Sequence, residues 1–199
     1  PWLPYAVQVR KEFTGKVEKA LPSLDKVAAL HDEKAKTIRS SHGQVLLDYG
    51  TGLLKVDAPQ AQGFVGFVGE GAKLASSMLT FASDPRNPWA GVLAVSLDNK
   101  PLNHSARIVV FTAAKEENTD QIFNATRTAL KDPGRLPVLE QWVKGTLTLK
   151  VAGAGKFEAY ALNESGKRGK ALPLTIKDGA LTMSLSPKNG SGYYEIVRR

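Results

Sequence analysis

From residue 38 onward the chain is punctuated at short intervals by Gly, Asn, Asp and Pro, and apolar, β-branched runs fill the gaps. That rhythm restricts the fold, because it is how antiparallel strands and their turns look in sequence. Residues 44–47 lead through Asp48-Tyr49-Gly50-Thr51-Gly52 into residues 53–56, a hairpin whose glycines accept positive φ. Runs at 64–68, 73–81 and 90–97 follow, and Asp98-Asn99-Lys100-Pro101 reads as a turn before the strand at 106–113. Within that strand Ile108-Val109-Val110-Phe111 is apolar on both faces, which predicts a place inside a sheet rather than at its edge. Further strands are expected at 143–151, 157–162 and 193–197, with a hairpin of 172–176 and 181–185 around Lys177-Asp178-Gly179-Ala180. Strands at this spacing without long helices predict an all-β fold, an antiparallel β-sandwich or jelly-roll-like domain.

The first forty residues are different. Residues 17–35 are rich in Lys, Glu, Ala and Leu and hold the only convincing helical material. Ser23 serves as an N-cap, and Leu24, Val27, Ala28 and His31 share one helical face, while Pro22 interrupts the run before it. The expected organisation is an N-terminal arm or linker with a short helix over residues 1–39 and a β-sandwich over 40–199. A hydrophobic share of 42% with 23% charged residues is that of a globular chain rather than a disordered one.

Lys and Arg number 27 against 19 Asp and Glu, a formal charge of +8. The cations are spread along the chain rather than gathered into basic runs, so a solvated face is expected and no nucleic-acid partner. Without cysteine the chain can form neither disulfides nor thiolate metal sites, and no cysteine nucleophile exists. No apolar run approaches the ~20 residues of a membrane helix, so no membrane span is expected. Pro1-Trp2-Leu3-Pro4 lacks the basic and apolar regions of a signal peptide and fits a fragment or processed product. An exported location, periplasmic, cell-surface or secreted, is the expectation.

Catalytic signatures fail one by one. His31, His42 and His104 form no HxH or HExxH pair, so no metal site is expected. Gly63-Phe64-Val65-Gly66-Phe67-Val68-Gly69-Glu70-Gly71 lacks the Lys-Ser/Thr of a phosphate loop and reads as a strand whose glycines permit close backbone packing; no cofactor is expected. His104, Ser105 and Asp98 are neighbours in one loop, a poor geometry for a triad, and no GxSxG elbow is present. Glu117, Asp120, Glu140 and Glu158 are available for glycoside hydrolysis, but no spacing pairs two of them. No residue of this chain is therefore expected to be catalytic. Aromatics remain, because sugar rings stack on Trp and Tyr while neighbouring polar groups take the hydroxyls. Trp2, Trp89, Trp142, Tyr49, Tyr193 and Tyr194 are possible platforms. Trp89 ends the polar loop Asp84-Pro85-Arg86-Asn87-Pro88-Trp89, so Trp89, Arg86 and Asn87 are the expected ligand-binding residues. Asn-x-Ser/Thr triplets at Asn103, Asn124, Asn163 and Asn189 are acceptors only in a eukaryotic secretory pathway.

One stretch is more specific than composition. Asp48-Tyr49-Gly50-Thr51-Gly52-Leu53-Leu54-Lys55-Val56-Asp57-Ala58-Pro59-Gln60-Ala61-Gln62-Gly63-Phe64-Val65-Gly66 resembles a segment of the C-terminal β-sandwich accessory domain of large bacterial glycoside hydrolases and related uncharacterised proteins. The shared pattern is a short turn, a Val-Asp-x-Pro strand end, then Gln and a Gly-containing strand. A second match follows in Val95-Ser96-Leu97-Asp98-Asn99-Lys100-Pro101-Leu102, Ser105-Ala106-Arg107-Ile108, Thr112-Ala113-Ala114 and Glu117-Asn118-Thr119. Ala58 and Gln60 depart from the Thr and Arg expected beside Pro59. The resemblance implies a sandwich appended to a catalytic barrel, which it stiffens or flanks, with polysaccharide and that neighbouring catalytic domain as partners. It implies no catalytic residue here. The expected function is a non-catalytic accessory domain of a carbohydrate-active protein; the alternative is a structural or adhesive surface module for protein contact or self-association.

Overall fold

The computed structural model describes residues 28–199 apart from Glu70, Asn87 and Ala154. The strands are β1 (His31–Asp32), β2 (Thr37–Arg39), β3 (Val45–Asp48), β4 (Leu53–Asp57), β5 (Ala61–Phe67), β6 (Lys73–Ala75), β7 (Leu79–Ser83), β8 (Trp89–Ser96), β9 (Arg107–Ala113) and β10 (Glu116–Thr119). They continue as β11 (Ile122–Phe123), β12 (Leu130–Asp132), β13 (Arg135–Glu140), β14 (Gly145–Lys150), β15 (Phe157–Leu162), β16 (Arg168–Leu172), β17 (Leu174–Lys177), β18 (Ala180–Leu185) and β19 (Tyr193–Arg198). Short helical turns, Leu102–His104 and Pro187–Asn189, precede β9 and β19.

Two sheets make the sandwich. One has ten strands in the order β1-β2-β3-β4-β5-β8-β9-β19-β15-β16, the other five in the order β17-β18-β14-β7-β6, and the described pairs are antiparallel. Period-2 alternation turns Phe64, Val92, Ala94, Ile108, Val110, Tyr194 and Ile196 of the larger sheet inward. There they form one cluster with Leu79, Phe81, Leu147, Leu149, Leu181, Met183 and Leu185 of the smaller sheet. The all-β sandwich expected from strand spacing is thus the fold. β9 lies between β8 and β19, the interior place that its doubly apolar sequence predicts.

Glycine serves the close approach read from the 63–71 run. A Cβ on Gly63 would sit 2.2 Å from the Val92 carbonyl oxygen, and one on Gly66, at φ +136°, would sit 2.0 Å from the Gly52 carbonyl oxygen.

Residues 17–27 of the expected helix lie outside the described residues. His31, expected on its apolar face, is in β1, which pairs with β2 through His31↔Ile38 and Asp32↔Thr37. The reason is local: Asp32 Oδ1 accepts from Ala35 N (2.8 Å) and Lys36 takes φ +55°, a turn that competes with helical hydrogen bonding. The larger sheet thus begins before Ser40. The run 73–81 also divides, into β6 and β7, around a turn at Ser76, Ser77 and Met78.

Candidate functional site

An acidic and aromatic recess lies where four segments meet at one end of the larger sheet. Its walls are Glu116 of β10, Glu140 and Trp142 at the end of β13, the turn after Leu162, and Gly190 to Tyr193 leading into β19; the cleft measures about 710 Å³. Each wall is held by identifiable bonds. Gln141 N donates to Lys115 O (2.8 Å) and closes the base of the β10–β13 ribbon. Thr112 N donates to Gly192 O (2.8 Å), and the Tyr194 hydroxyl donates to Ser191 O (2.6 Å). Ser191 Oγ donates to Leu162 O (2.5 Å) and accepts from Tyr193 N (2.8 Å), so the β15–β16 turn and the start of β19 are tied together. Asn163 Oδ1 accepts from Ser165 N (3.1 Å) and Lys167 N (2.8 Å), which closes that turn.

The aromatic surface is partly open to solvent. Tyr193 is 46% exposed and Phe111 42% exposed, and their rings meet edge to face with centroids 5.7 Å apart. A smaller depression of about 400 Å³, lined by Val109, Phe111 and Gly166, adjoins the cleft and shares Leu162, Asn163, Glu164 and Tyr193 with it.

The cleft is negative within a positive protein. Glu116 and Glu140 are direct partners across the β10–β13 ladder, a like-charge placement that is unfavourable unless something offsets it. Glu164 lines the same cleft from the β15–β16 turn. Among the described residues none of the three carboxylates makes an ion pair, and the nearby cations Lys115 (2.8 Å) and Arg127 bind Glu117 instead. Burial pushes the Tyr194 phenol beneath the cleft upward, and the Glu140 carboxylate adds to that effect.

Of the residues expected to bind ligand, Trp89 and Arg86 are described, and they occupy different surroundings. Trp89 is half-buried on the outer face of the larger sheet, opposite Phe67 in the β5–β8 ladder. Arg86 is clamped to Asp84 by Nε to Oδ1 and Nη2 to Oδ2, both 2.8 Å, which holds the Asp84 carboxyl well below its usual range. Arg86 lines a second cleft of about 710 Å³ with Asp84, Lys144 and Lys188, a set that does not include Trp89. Asn87 lies outside the described residues.

Several of the other polar groups singled out in the sequence have structural partners. Ser105 Oγ donates directly to Asp98 Oδ1 (2.7 Å), with no imidazole between them. Asp98 also accepts from Ala106 N (2.8 Å) and Ser96 Oγ (2.8 Å), and these bonds, Ala106 foremost, hold its carboxyl well below the usual range. Glu158 binds Arg199 (2.9 Å) and accepts from the Tyr160 hydroxyl (2.8 Å), and Asp120 binds Arg135 (2.8 Å). His31 meets the Tyr49 hydroxyl (3.0 Å) and His42 meets Ser40 Oγ (3.1 Å). Among the described residues no group of three His, Asp or Glu could hold a metal ion.

Two further networks are polar: one, at Glu195, is unmarked in the sequence, and the other involves residues that the sequence pattern contains without assigning them a role. Glu195, buried in β19, accepts from Arg107 Nε (2.6 Å) and Arg168 Nε (2.5 Å). The Arg168 bond outweighs desolvation and keeps the Glu195 carboxyl below its ordinary value. Arg168 in turn lies 5.0 Å from the Tyr160 ring centroid. The second feature explains the Val-Asp-x-Pro and Gln elements of the sequence pattern. Asp57 accepts from Ser77 Oγ (2.6 Å) and Ser77 N (3.1 Å), and Gln62 holds Ser76, Ser77, Met78 and Leu79, so both residues of the larger sheet grip the β6–β7 turn of the smaller one.

No family model, no curated protein and no solved structure matches the chain.

Proposed function

We propose that the chain is a non-catalytic accessory domain of a carbohydrate-active protein that makes weak contact with polysaccharide. The observation that carries this reading is the cleft, where Trp142 and Tyr193 offer stacking faces beside Asn163 and three carboxylates able to accept hydroxyl hydrogen bonds. Its volume, about 710 Å³, lies within the range of small-ligand sites. Affinity electrophoresis in gels containing different polysaccharides tests the reading. Retardation by at least one glycan, reduced in Trp142→Ala and Tyr193→Ala, is the expected result; unretarded migration in all of them refutes it.

A second reading, a surface module for protein contact or self-association, draws on the outer face of the larger sheet. Val56, Leu93 and Phe111 form one cross-strand row there, and Leu47, Leu54 and Val65 another, with Phe67 62% exposed nearby. Sedimentation equilibrium that shows mass rising with concentration supports it, and a constant monomer mass refutes self-association.

A further inference from the structure

We infer that the ribbon over residues 116–140 is an exchange arm that lies on the outer face of the larger sheet of a second copy of this chain, each copy giving its arm to the other; this rests on the self-association reading above. β10 pairs with β13 and β11 with β12, and none of the four joins either sheet of the sandwich. β12 and β13 are exposed at every residue; Leu136 is 79% exposed, and Ile122, Leu130, Val138 and Leu139 are exposed as well. The polar side chains of the ribbon hold its shape. Arg127 pairs with Glu117 and stands 4.3 Å from the Phe123 ring centroid, and Arg135 Nε donates to Asp120 (2.8 Å). Asn118 Nδ2 donates to Pro133 O (2.8 Å) and Thr119 Oγ1 to Pro137 O (2.7 Å). A ribbon shaped in advance, with apolar groups outward, loses little conformational freedom when it docks.

The outer face of the larger sheet supplies the matching surface. On β3, β4, β5, β8 and β9 alternation turns apolar residues and glycine outward, and the one charged side chain at those positions is Arg107, already bound to Glu195. Strands apolar on both faces belong to sheets covered on both faces, whereas the smaller sheet covers only the inner one. Both the arm and the face are exposed in the single chain, so the arm does not cover its own sheet. Dimensions favour exchange. The five strands, about 4.8 Å apart, span about 24 Å, and the arm edge from Glu116 to Phe123, at about 3.3 Å per residue, spans about 26 Å. A two-stranded arm about 14 Å wide covers about 360 Å², short of the ~800 Å² per partner of a standard interface; giving one arm and receiving another brings each copy to about 700 Å². The chain carries both halves of this contact, which makes a second copy the occupant. Charge acts in the same direction: the arm holds three basic against five acidic residues in a chain whose 27 Lys and Arg outnumber 19 Asp and Glu, so each arm is drawn to the other copy and offsets part of the repulsion between them.

The chain has no cysteine, so introduced thiols are the only ones present. Sedimentation equilibrium of the full chain should give a dimer. Leu136→Asp with Val138→Asp, both exposed on the arm, should weaken that dimer about tenfold or more while the urea midpoint stays that of the parent. Leu136→Cys and Val65→Cys proteins treated with a flexible bismaleimide should cross-link far more in their mixture than either does alone, because arm meets face; this readout stands whether or not the double variant folds. A parent protein that stays monomeric at every concentration overturns both the self-association reading and the exchange. A dimer of full strength in the double variant, no excess of cross-linked product in the mixture, or cross-linking mainly of Val65→Cys with itself overturns the exchange and leaves self-association standing. Mass that climbs past two copies overturns reciprocity, since an arm passed in one direction only builds an open chain.

Discussion

Gln62→Leu tests the claim that one buried amide holds the two sheets in register. Gln62 is fully buried; its Oε1 accepts from Ser76 Oγ (2.7 Å), Met78 N (2.8 Å) and Leu79 N (3.1 Å), and its Nε2 donates to Ser77 Oγ (2.6 Å). At about 1 kcal/mol net per bond the upper bound on the loss is ~4 kcal/mol. Some of that is recoverable. Ser77 Oγ keeps Asp57 (2.6 Å), Ser76 Oγ keeps Leu79 O (3.1 Å), and Leu79 N can turn to Ser76 Oγ (3.3 Å). Met78 N is the group left stranded, beside a leucine of similar size to the amide it replaces. The expected loss is therefore about 2–3 kcal/mol, a large part of the ~5–15 kcal/mol that holds a typical domain together. Urea unfolding followed by tryptophan fluorescence should show the midpoint fall by about 1 M with unchanged slope. A midpoint within ~0.2 M of the parent protein refutes the clamp, because the β6–β7 turn would then be holding itself.

Leu147→Ala, at the centre of β14 between Phe81 and Met183, should cost about 3 kcal/mol by opening a cavity between the sheets, read by the same unfolding curve. Glu195→Gln leaves Arg107 and Arg168 facing a neutral amide and should cost about 1–3 kcal/mol at pH 7, less than a wholly buried pair because both guanidinium groups reach solvent. Asp98 has its folded-state pKa lowered, so the stability it contributes is present above about pH 4 and fades as pH falls through the folded value. Asp98→Asn should therefore be less stable than the parent at pH 7 and show a flatter decline in stability below pH 4, measured by unfolding at stepped pH; an unchanged acid profile refutes that role.

Much of the architecture follows from local sequence chemistry. β3 and β4 around Gly52, the β17–β18 hairpin around Asp178-Gly179, and β9 with its doubly apolar run all lie where turn residues and strand patterns indicate. Other strands leave no such mark. β10 is Glu-Glu-Asn-Thr and β13 is exposed along its length, so neither carries the apolar alternation that marks burial. β1 and β2 hide in a stretch of helix-forming composition, where an Asp32 turn overrides propensity. The break between β6 and β7 is equally invisible locally, because the groups that stabilise it, Asp57 and Gln62, belong to the opposite sheet.

The cleft divides in the same way. Trp142, Tyr193 and Glu140 are recognisable in isolation as residues able to touch a sugar, but their convergence with Glu116 and Glu164 depends on strand order. β9 and β19 are neighbours in the larger sheet although most of a hundred residues separate them in sequence, and that pairing brings Phe111 against Tyr193 and Arg107 against Glu195. Alternation along a strand tells each side chain which face it occupies; it carries no information about which distant strand will lie alongside. Turns and faces are decided by a residue and its near neighbours. Sites assembled across a ladder are decided by the packing of the two sheets, since only burial of the shared core selects one strand order over its alternatives.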